Sequence, residues 1–365
     1  MTGGFPAPGP QDREPAPSWS PAALPPNTPP PTGPPMQPPP YPRQAPMPQI
    51  PMLTAHKPGI VALRPLQLGD ILDGAVKAVR FNPKSMVGLS AMVLAVFLVP
   101  SAAMGIGATH LAARALSTSG PEAQAFLGFP STLIQMLSTE LATALLSGVL
   151  IHVVGQAVLG RKPGIGATWR ATRGRIPSLL ALAILSGLFS LLAAALLIGP
   201  GVLLLINNNL GAGLFLLFVG LLSLIAVALA VSTKISLAAP AIVLEGHGVM
   251  AGLRRSFALT TGAAFWRILG ITLLAGFLAG IAGSLLGLPF SIIGTILGAL
   301  SGQDSESGQM IVTFVSHLSA LLTGAITTPF VAAVTGLLYI DRRMRLEALD
   351  VVLLREAQTN PAPRI

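Results

Sequence analysis

Clusters of arginine and lysine alternate along this chain with long apolar segments that carry almost no charge. From residue 57 onward the order is basic, neutral, basic, neutral, basic, neutral, basic. The chain is 52% hydrophobic and 10% charged, whereas a soluble domain carries about 25% charged residues. A water-exposed surface cannot be built from so few polar groups, so the pattern predicts a protein that crosses a membrane several times.

Six apolar segments are long enough to cross a bilayer as helices, because a hydrocarbon core of ~30 Å needs about 20 helical residues. These segments are residues 86–109, 132–159, 179–206, 210–233, 268–299 and 310–340. Backbone amides cannot stay unpaired in hydrocarbon, and the segments lack the polar and apolar alternation of barrel strands. We therefore expect an all-α membrane protein with six transmembrane helices, in a membrane domain over residues 58–340.

The cations mark one side of the predicted helix bundle. Arginines and lysines precede the first span and follow the second, fourth and sixth spans. The opposite connections hold Arg114 with Glu122, three asparagines from Asn207, and Asp304 with Glu306. Basic connections are cytoplasmic in membrane proteins. We therefore expect a multi-pass protein of the cell membrane with both termini in the cytoplasm.

The formal net charge of +9 raises the question of a nucleic-acid partner. A nucleic-acid-binding domain gathers its cations on one folded face, with aromatic side chains between them. Here the cations are spread along the borders of the apolar segments. The expected partner is therefore the lipid bilayer, and no nucleic acid is expected.

Proline dominates the N-terminal segment. Twenty-one of the 34 prolines lie within the first 58 residues, and proline fixes φ and lacks a backbone donor. We expect residues 1–57 to form a disordered, Pro-rich cytoplasmic tail with polyproline II character. Its PxxP-like segments are suited to binding a cytoplasmic protein partner. Residues 12–14 are charged where the apolar part of a signal peptide would lie, so no cleaved leader is expected.

Three basic, amphipathic segments each lead directly into an apolar span. They are LGDILDGAVKAVRFNPKSMVGL from Leu68, GIGATWRATRGRIPSLLAL from Gly164 and GVMAGLRRSFALTTGAAFWRILG from Gly248. Their order predicts three repeats, each made of one interfacial amphipathic helix and one transmembrane hairpin. The alternative is that any basic loop before a span has this character without a structural repeat.

The chain after the sixth span has the pattern of a further amphipathic helix. Leucines recur at helical spacing, and two pairs of opposite charge are four residues apart. The residues are Leu346, Leu349 and Leu353, and the pairs are Asp341 with Arg345 and Arg343 with Glu347. We expect residues 341–365 to form a cytoplasmic amphipathic helix and a short tail.

Three motifs carry a resemblance to a known family. They are RPLQLGDILDGAVKAVRFNP from Arg64, APAIVLEGHGVMAGLRRSFALTTGAAFWRILG from Ala239 and LLYIDRRMRLEALD from Leu337. Together they resemble actinobacterial integral membrane proteins that are similar to the membrane domain of glycerophosphoryl diester phosphodiesterases. The resemblance implies a stand-alone six-helix membrane module. The phosphodiesterase chemistry belongs to a separate barrel of ~250 residues, for which this chain has no segment, so no enzyme activity is expected.

Ionisable side chains inside the predicted spans are the first candidates for a functional site, because placing them in hydrocarbon is costly. Glu140 lies in the outer part of the second span, and His317 lies at a comparable depth in the sixth, so the two could share a proton or bind a cation. His152 and Gln156 are a further candidate pair near the other end of the second span. The alternative is that Glu140 is protonated and hydrogen-bonded to a neighbouring helix, and that His152 and Gln156 only join two helices.

The fifth span carries three successive GxxxG pairs, which let two helix backbones approach closely. The pairs are Gly276 with Gly280, Gly283 with Gly287, and Gly294 with Gly298. Their partner is either another helix of the same chain or a second copy. Pro289 interrupts the run and predicts a kink or a break in the helix.

Three classes of function stay open. The first is a non-catalytic membrane protein that organises envelope or lipid-related machinery. The second is a transporter or lipid-handling carrier, in which repeats surround a path and Glu140 or His317 titrates. The third is an intramembrane enzyme, which the lack of a nucleophile, base and orienting group disfavours. With no cysteine and five scattered histidines, neither a metal site nor a cofactor is expected.

Overall fold

The computed structural model describes residues 59–62, 64–116, 129–302 and 305–347. Within these residues the regular structure is entirely helical. The ten α-helices there are α1 Leu68–Phe81, α2 Pro83–Leu116, α3 Phe129–Val158, α4 Ile165–Thr172, α5 Ile176–Ile206, α6 Leu210–Ile235, α7 Ala238–Leu244, α8 Val249–Leu259, α9 Ala263–Leu300 and α10 Glu306–Glu347. A short 3₁₀ turn, Arg173–Arg175, joins α4 to α5. The predicted tail, residues 1–57, lies outside the described residues.

Six of these helices are long and apolar enough to cross a membrane, namely α2, α3, α5, α6, α9 and α10. This confirms the predicted all-α membrane protein with six spans. Most of these helices are longer than the predicted apolar segments, because helical structure continues into the residues that flank the apolar runs. At the start of α2, for example, Pro83 occupies the first helical position, where its missing N–H costs nothing, and Asn82 separates it from α1.

The three predicted repeats are present in the order of the helices. The amphipathic helices α1, α4 and α8 each precede one hairpin, formed by α2 with α3, α5 with α6, and α9 with α10. We call the end of the bundle where α1, α4 and α8 lie the basic end. The short helix α7 is an addition that the repeat did not predict. It ends before Gly246, whose φ of +75° is a conformation that residues with a Cβ rarely adopt.

Helix α10 is the centre of the bundle. It packs against α9, α2, α3 and α1, and its buried face includes Ala332, Ala333 and Leu337. Small side chains on this face allow neighbouring helices to approach α10 closely. Helices α2 and α10 run antiparallel, because Gly105 faces Thr313 while Leu94 faces Gly324.

The hairpin of α5 and α6 packs closely within itself. A Cβ placed on Gly220 of α6 would lie 2.1 Å from the carbonyl oxygen of Leu197 in α5, so the two backbones touch. Contact with the rest of the bundle concentrates at the basic end, where Leu179 and Leu182 of α5 and Thr233 of α6 are buried. The exposed apolar side chains farther along these helices suit contact with lipid tails.

Two long helices continue past positions where the sequence suggested a boundary, and of the kink or break predicted at Pro289 only the break is wrong. Helix α9 continues through Pro289 from Ala263 to Leu300. Helix α10 continues from the sixth span to Glu347, so no separate helix begins at residue 341. The expected ion pairs from Asp341 to Arg345 and from Arg343 to Glu347 do form, and they stabilise this last part of α10. Residues 348–365 lie outside the described residues.

Candidate functional site

The structure does not bring Glu140 and His317 together. Glu140 is exposed on α3, whereas His317 is buried on α10, and no hydrogen bond or ion pair between them occurs in the described part of the chain. Helix α3 faces α10 here through Ser131, whose side chain meets Thr313. Glu140 lies nine residues after Ser131, which places it on the opposite side of α3 at 100° per residue.

His152 and Gln156 are both half-buried near the basic end of α3. Among the described residues, neither side chain makes a hydrogen bond that would orient it toward a ligand. This part of α3 packs against α7 and α10, with Gly155 facing Leu244 and Gly336 facing Val154. Their surroundings are those of a helix contact.

The glycine pairs of α9 face α10 over part of their predicted length. Atoms of α10 lie within van der Waals distance of a Cβ at Gly283, Gly287, Gly294 or Gly298. A Cβ at Gly276 or Gly280 would meet nothing within 4 Å among the described residues. The close packing face is therefore shorter than the three pairs suggested, and its partner is a helix of the same chain.

A buried ion network, the Asp341 cluster, consists of Asp341, Arg267, Arg345 and the backbone of Leu66. Asp341 has no exposed surface. Its carboxylate pairs with Arg267, accepts Nε–H of Arg345 at 2.9 Å, and accepts the amide N–H of Leu66 at 2.7 Å. Both arginines also donate to the carbonyl oxygen of Leu66, each at 2.8 Å. The cluster thus joins the segment before α1 to the start of α9 and the end of α10.

A second network, the Glu245 cluster, consists of Glu245, Arg255, Tyr339, Arg343 and Glu347. Arg255 of α8 donates to both carboxylate oxygens of Glu245, each at 3.1 Å. The Tyr339 hydroxyl donates to Glu245 as well, and Arg343 lies 3.3 Å from the same carboxylate. Glu347 pairs with Arg255 and Arg343. These contacts bind the α7–α8 connection to the end of α10.

Single hydrogen bonds join the end of α6 and the end of α10 to the end of α8 near the two clusters. Lys234 of α6 donates to the carbonyl oxygen of Thr260 at 3.0 Å and lies over the Phe265 ring. Arg342 donates to the carbonyl oxygen of Leu259 at 3.0 Å. Both cations thus satisfy free carbonyl groups at the C-terminal end of α8, where positive charge is also favoured by the helix dipole.

The partners of Glu245 determine its ionisation. Burial alone would raise its pKa, but hydrogen bonds from Tyr339 and Arg255 and the charges of Arg343 and Arg255 outweigh burial, so the pKa of Glu245 lies below its ordinary value. Glu245 is therefore an anion at neutral pH. Its negative charge holds two arginines of different helices close together.

Acid should weaken this end of the bundle through Glu245. A carboxylate whose pKa is lowered by folding stabilises the fold above its ordinary pKa of 4.5 and loses that contribution as the pH falls through the lower folded value. We expect the thermal midpoint of the detergent-purified protein to fall more steeply than that of Glu245→Gln between about pH 5 and pH 3. Parallel curves for the two proteins would contradict this assignment.

The two clusters bring together the three motifs that carry the family resemblance. Leu66 belongs to the first motif, Glu245, Arg255 and Arg267 to the second, and the residues of α10 to the third. The sequence predicted the two ion pairs within α10, but it did not predict the contacts of these charges between different helices. The available signal was that acidic residues stand among the arginines of the second and third motifs.

Metal binding has no support within the described residues, where no group of three or more His, Asp or Glu side chains is placed to hold an ion. The described site is therefore a set of ion pairs that join helices at the basic end. No protein-family model matches the chain, and neither a curated protein nor a solved structure is significantly similar to it.

Proposed function

We propose that this chain is a non-catalytic membrane protein whose basic end is a rigid platform for organising envelope or lipid-related machinery. The observation that carries the proposal is the pair of clusters centred on Asp341 and Glu245. They fasten α8, α9 and the segment before α1 to the end of α10. Charged networks of this kind fix the relative positions of surface elements, which is what a docking platform requires.

The orientation of the platform follows from its charge. The basic end carries the arginines of α4, α8 and α10, and such residues are retained on the cytoplasmic side. The chain also enters the bundle at this end, where Ile60 is buried and its amide donates to the carbonyl oxygen of Ala157. We propose that the partner of the Pro-rich segment acts in the same compartment as the platform.

The lipid-related part of the proposal rests on the family resemblance and on the surface of the basic end. Trp169, Phe257 and Trp266 are exposed there, close in sequence to Arg170, Arg254 and Arg267. Aromatic and basic side chains together suit the headgroup region of a bilayer that contains anionic lipids. We propose that the platform works at the inner surface of the cell membrane.

Native mass spectrometry of the full chain, released from its own membrane under mild conditions, tests the platform function. We expect a protein partner in fixed stoichiometry that is lost when residues 1–57 are deleted, because the tail supplies an extended ligand for it. The membrane domain should keep its thermal stability in that deletion. A chain that carries no protein partner with the tail intact would contradict the proposal.

A second candidate function, a transporter or lipid-handling carrier, is favoured by the exposure of Glu140 within a span. A carboxylate at this depth is costly unless it meets water, a cation or a lipid headgroup. In the same spectra, a lipid or small molecule that is lost in Glu140→Gln and retained in His152→Gln would support the carrier. Identical spectra for the two variants would count against it.

A further inference from the structure

His317 is a buried histidine with one unused nitrogen. Its side chain is 4% exposed, and Nδ1 lies 2.8 Å from the carbonyl oxygen of Thr313. A carbonyl oxygen can only accept, so Nδ1 carries the hydrogen and Nε2 of the neutral ring is left as an acceptor. Within the described residues, Nε2 is buried and has no hydrogen-bond partner. An acceptor left without a donor in the interior of a bundle is energetically unfavourable, so this position calls for a ligand that donates.

Hydroxyl side chains lie along the junction of α2, α3 and α10, beginning at Thr313, one turn of α10 from His317. Thr313 and Ser131 are buried, with their hydroxyl oxygens 3.5 Å apart. They meet beside Gly105, where a Cβ would lie 3.2 Å from the Ser131 Cβ, so the absence of a side chain lets α2 approach both hydroxyl-bearing residues closely. On α2, Ser101 and Thr109 lie one turn to either side of Gly105, and both are buried. We call these four residues the hydroxyl seam.

Because α2 and α10 run antiparallel, each residue of α2 can be matched with the residue of α10 at the same depth in the bundle. Since Gly105 faces Thr313 and Leu94 faces Gly324, Ser101 lies level with His317. At the other end of the seam, beyond Thr109, His110 of α2 pairs with Glu306 of α10. The seam therefore runs from the pair of His110 and Glu306, at the end of the bundle opposite the basic end, to the level of His317.

The seam suits a very small ligand. The hydroxyls of Ser101 and Thr109 donate to carbonyl oxygens of their own helix, at 3.0 and 2.9 Å, which leaves their oxygen lone pairs to accept from water. Water can bridge such groups when each molecule finds two or more polar partners. A chain of such waters would carry protons as far as Nε2 of His317.

We propose that Nε2 of His317 is an internal proton-binding site that is reached along the hydroxyl seam from the end of the membrane opposite the basic end. A proton delivered by water forms a bond to the Nε2 lone pair and gives an imidazolium, and the reverse step returns it to water. This inference goes beyond the platform function. It assigns a role to His317 that does not involve Glu140.

The charged and titratable groups around the site leave the imidazolium without a counterion. Helix α2 contributes His110, and α10 contributes Glu306 at its far end. Glu140 is on the face of α3 opposite Ser131, and the titratable residue of α9 is Arg267 at the basic end. Helix α1 meets α10 at Leu337, far along the helix. A proton on His317 thus has no charged group beside it among the described residues.

Histidine C2 hydrogen–deuterium exchange, followed by mass spectrometry across a pH series, tests the site in the full chain in lipid nanodiscs. This exchange requires both water access and protonation of the ring. We expect His317 to exchange with a sigmoidal pH profile despite its burial. In a separate NMR measurement, the ¹⁵N chemical shifts of the His317 ring should report the tautomer with hydrogen on Nδ1. A His317 that stays unexchanged at every pH while His247 exchanges fully would overturn the proposal, as would hydrogen on Nε2 of the neutral ring.

The route is tested with variants of the seam. Thr313→Val keeps the shape of the side chain and removes its hydroxyl, and we expect it to slow exchange at His317 about tenfold while His247 is unchanged. Thr272→Val in α9 is the control, because Thr272 is a half-buried threonine whose hydroxyl, among the described residues, bonds only to its own helix. Ser131→Ala serves as a second variant that cannot overpack the junction. Unchanged exchange at His317 in both seam variants would overturn the proposed path.

Discussion

Replacing Asp341 by alanine should lower the free energy of unfolding by roughly 3 kcal/mol, the low end of what breaking a buried ion pair costs. The low end applies because Arg267 and Arg345 are each about a third exposed, so water compensates part of the loss. The amide of Leu66 also loses its acceptor. Unfolding of the detergent-purified protein by increasing amounts of a denaturing detergent measures the change.

Two further variants show whether the charge of Asp341 is responsible. Asp73→Ala removes an exposed carboxylate that pairs with Lys77, and we expect a loss of at most about 1 kcal/mol. Asp341→Asn keeps an acceptor for Leu66 and removes the charge, so its stability should fall between those of the wild type and Asp341→Ala. Equal losses for Asp341→Ala and Asp73→Ala would show that the Asp341 cluster is not a structural clamp.

Adding a single methyl group at Gly220 should disrupt the hairpin of α5 and α6. In Gly220→Ala the new Cβ would lie 2.1 Å from the carbonyl oxygen of Leu197, and a backbone atom cannot turn away as a side chain can. The helices must separate, at a cost of about 2–3 kcal/mol for overpacking a tight contact. The yield of folded protein and its unfolding midpoint in detergent are the measurements.

The control for this prediction lies on the same hairpin. Gly187 of α5 is exposed, and a Cβ there meets nothing within 4 Å. Because alanine favours a helix interior over glycine, Gly187→Ala should leave stability unchanged or raise it by up to about 1 kcal/mol. If Gly220→Ala were as stable as Gly187→Ala, the close contact between α5 and α6 would be wrong.

The number of spans and their three-fold repetition could be predicted because they depend on local sequence. Each span is an uninterrupted apolar run, and each amphipathic helix shows its own helical periodicity. The exact ends were harder to predict. Helix α10 continues past Asp341, which is buried, whereas a sequence pattern that treats Asp341 as a surface charge places a boundary there.

The candidate sites were likewise predicted only as far as local sequence allows. The sequence identified Glu140 and His317 as unusual, because any ionisable residue in an apolar run is unusual. It could not show that they face different neighbours, since that depends on which face of α3 meets α10, and the contact of Ser131 with Thr313 shows that face. For the same reason, the exposed surroundings of Gly276 and Gly280 were not foreseen.

By itself, the sequence determined that this protein is helical, crosses the membrane six times and gathers its cations at one end, because hydrocarbon rejects unpaired backbone and charge wherever they occur. Only the tertiary structure decided which charges meet. Leu66, Arg267 and Asp341 are joined across more than two hundred residues of chain. Ion pairs depend on distances of a few ångströms between side chains, and packing of the helices around α10 sets those distances.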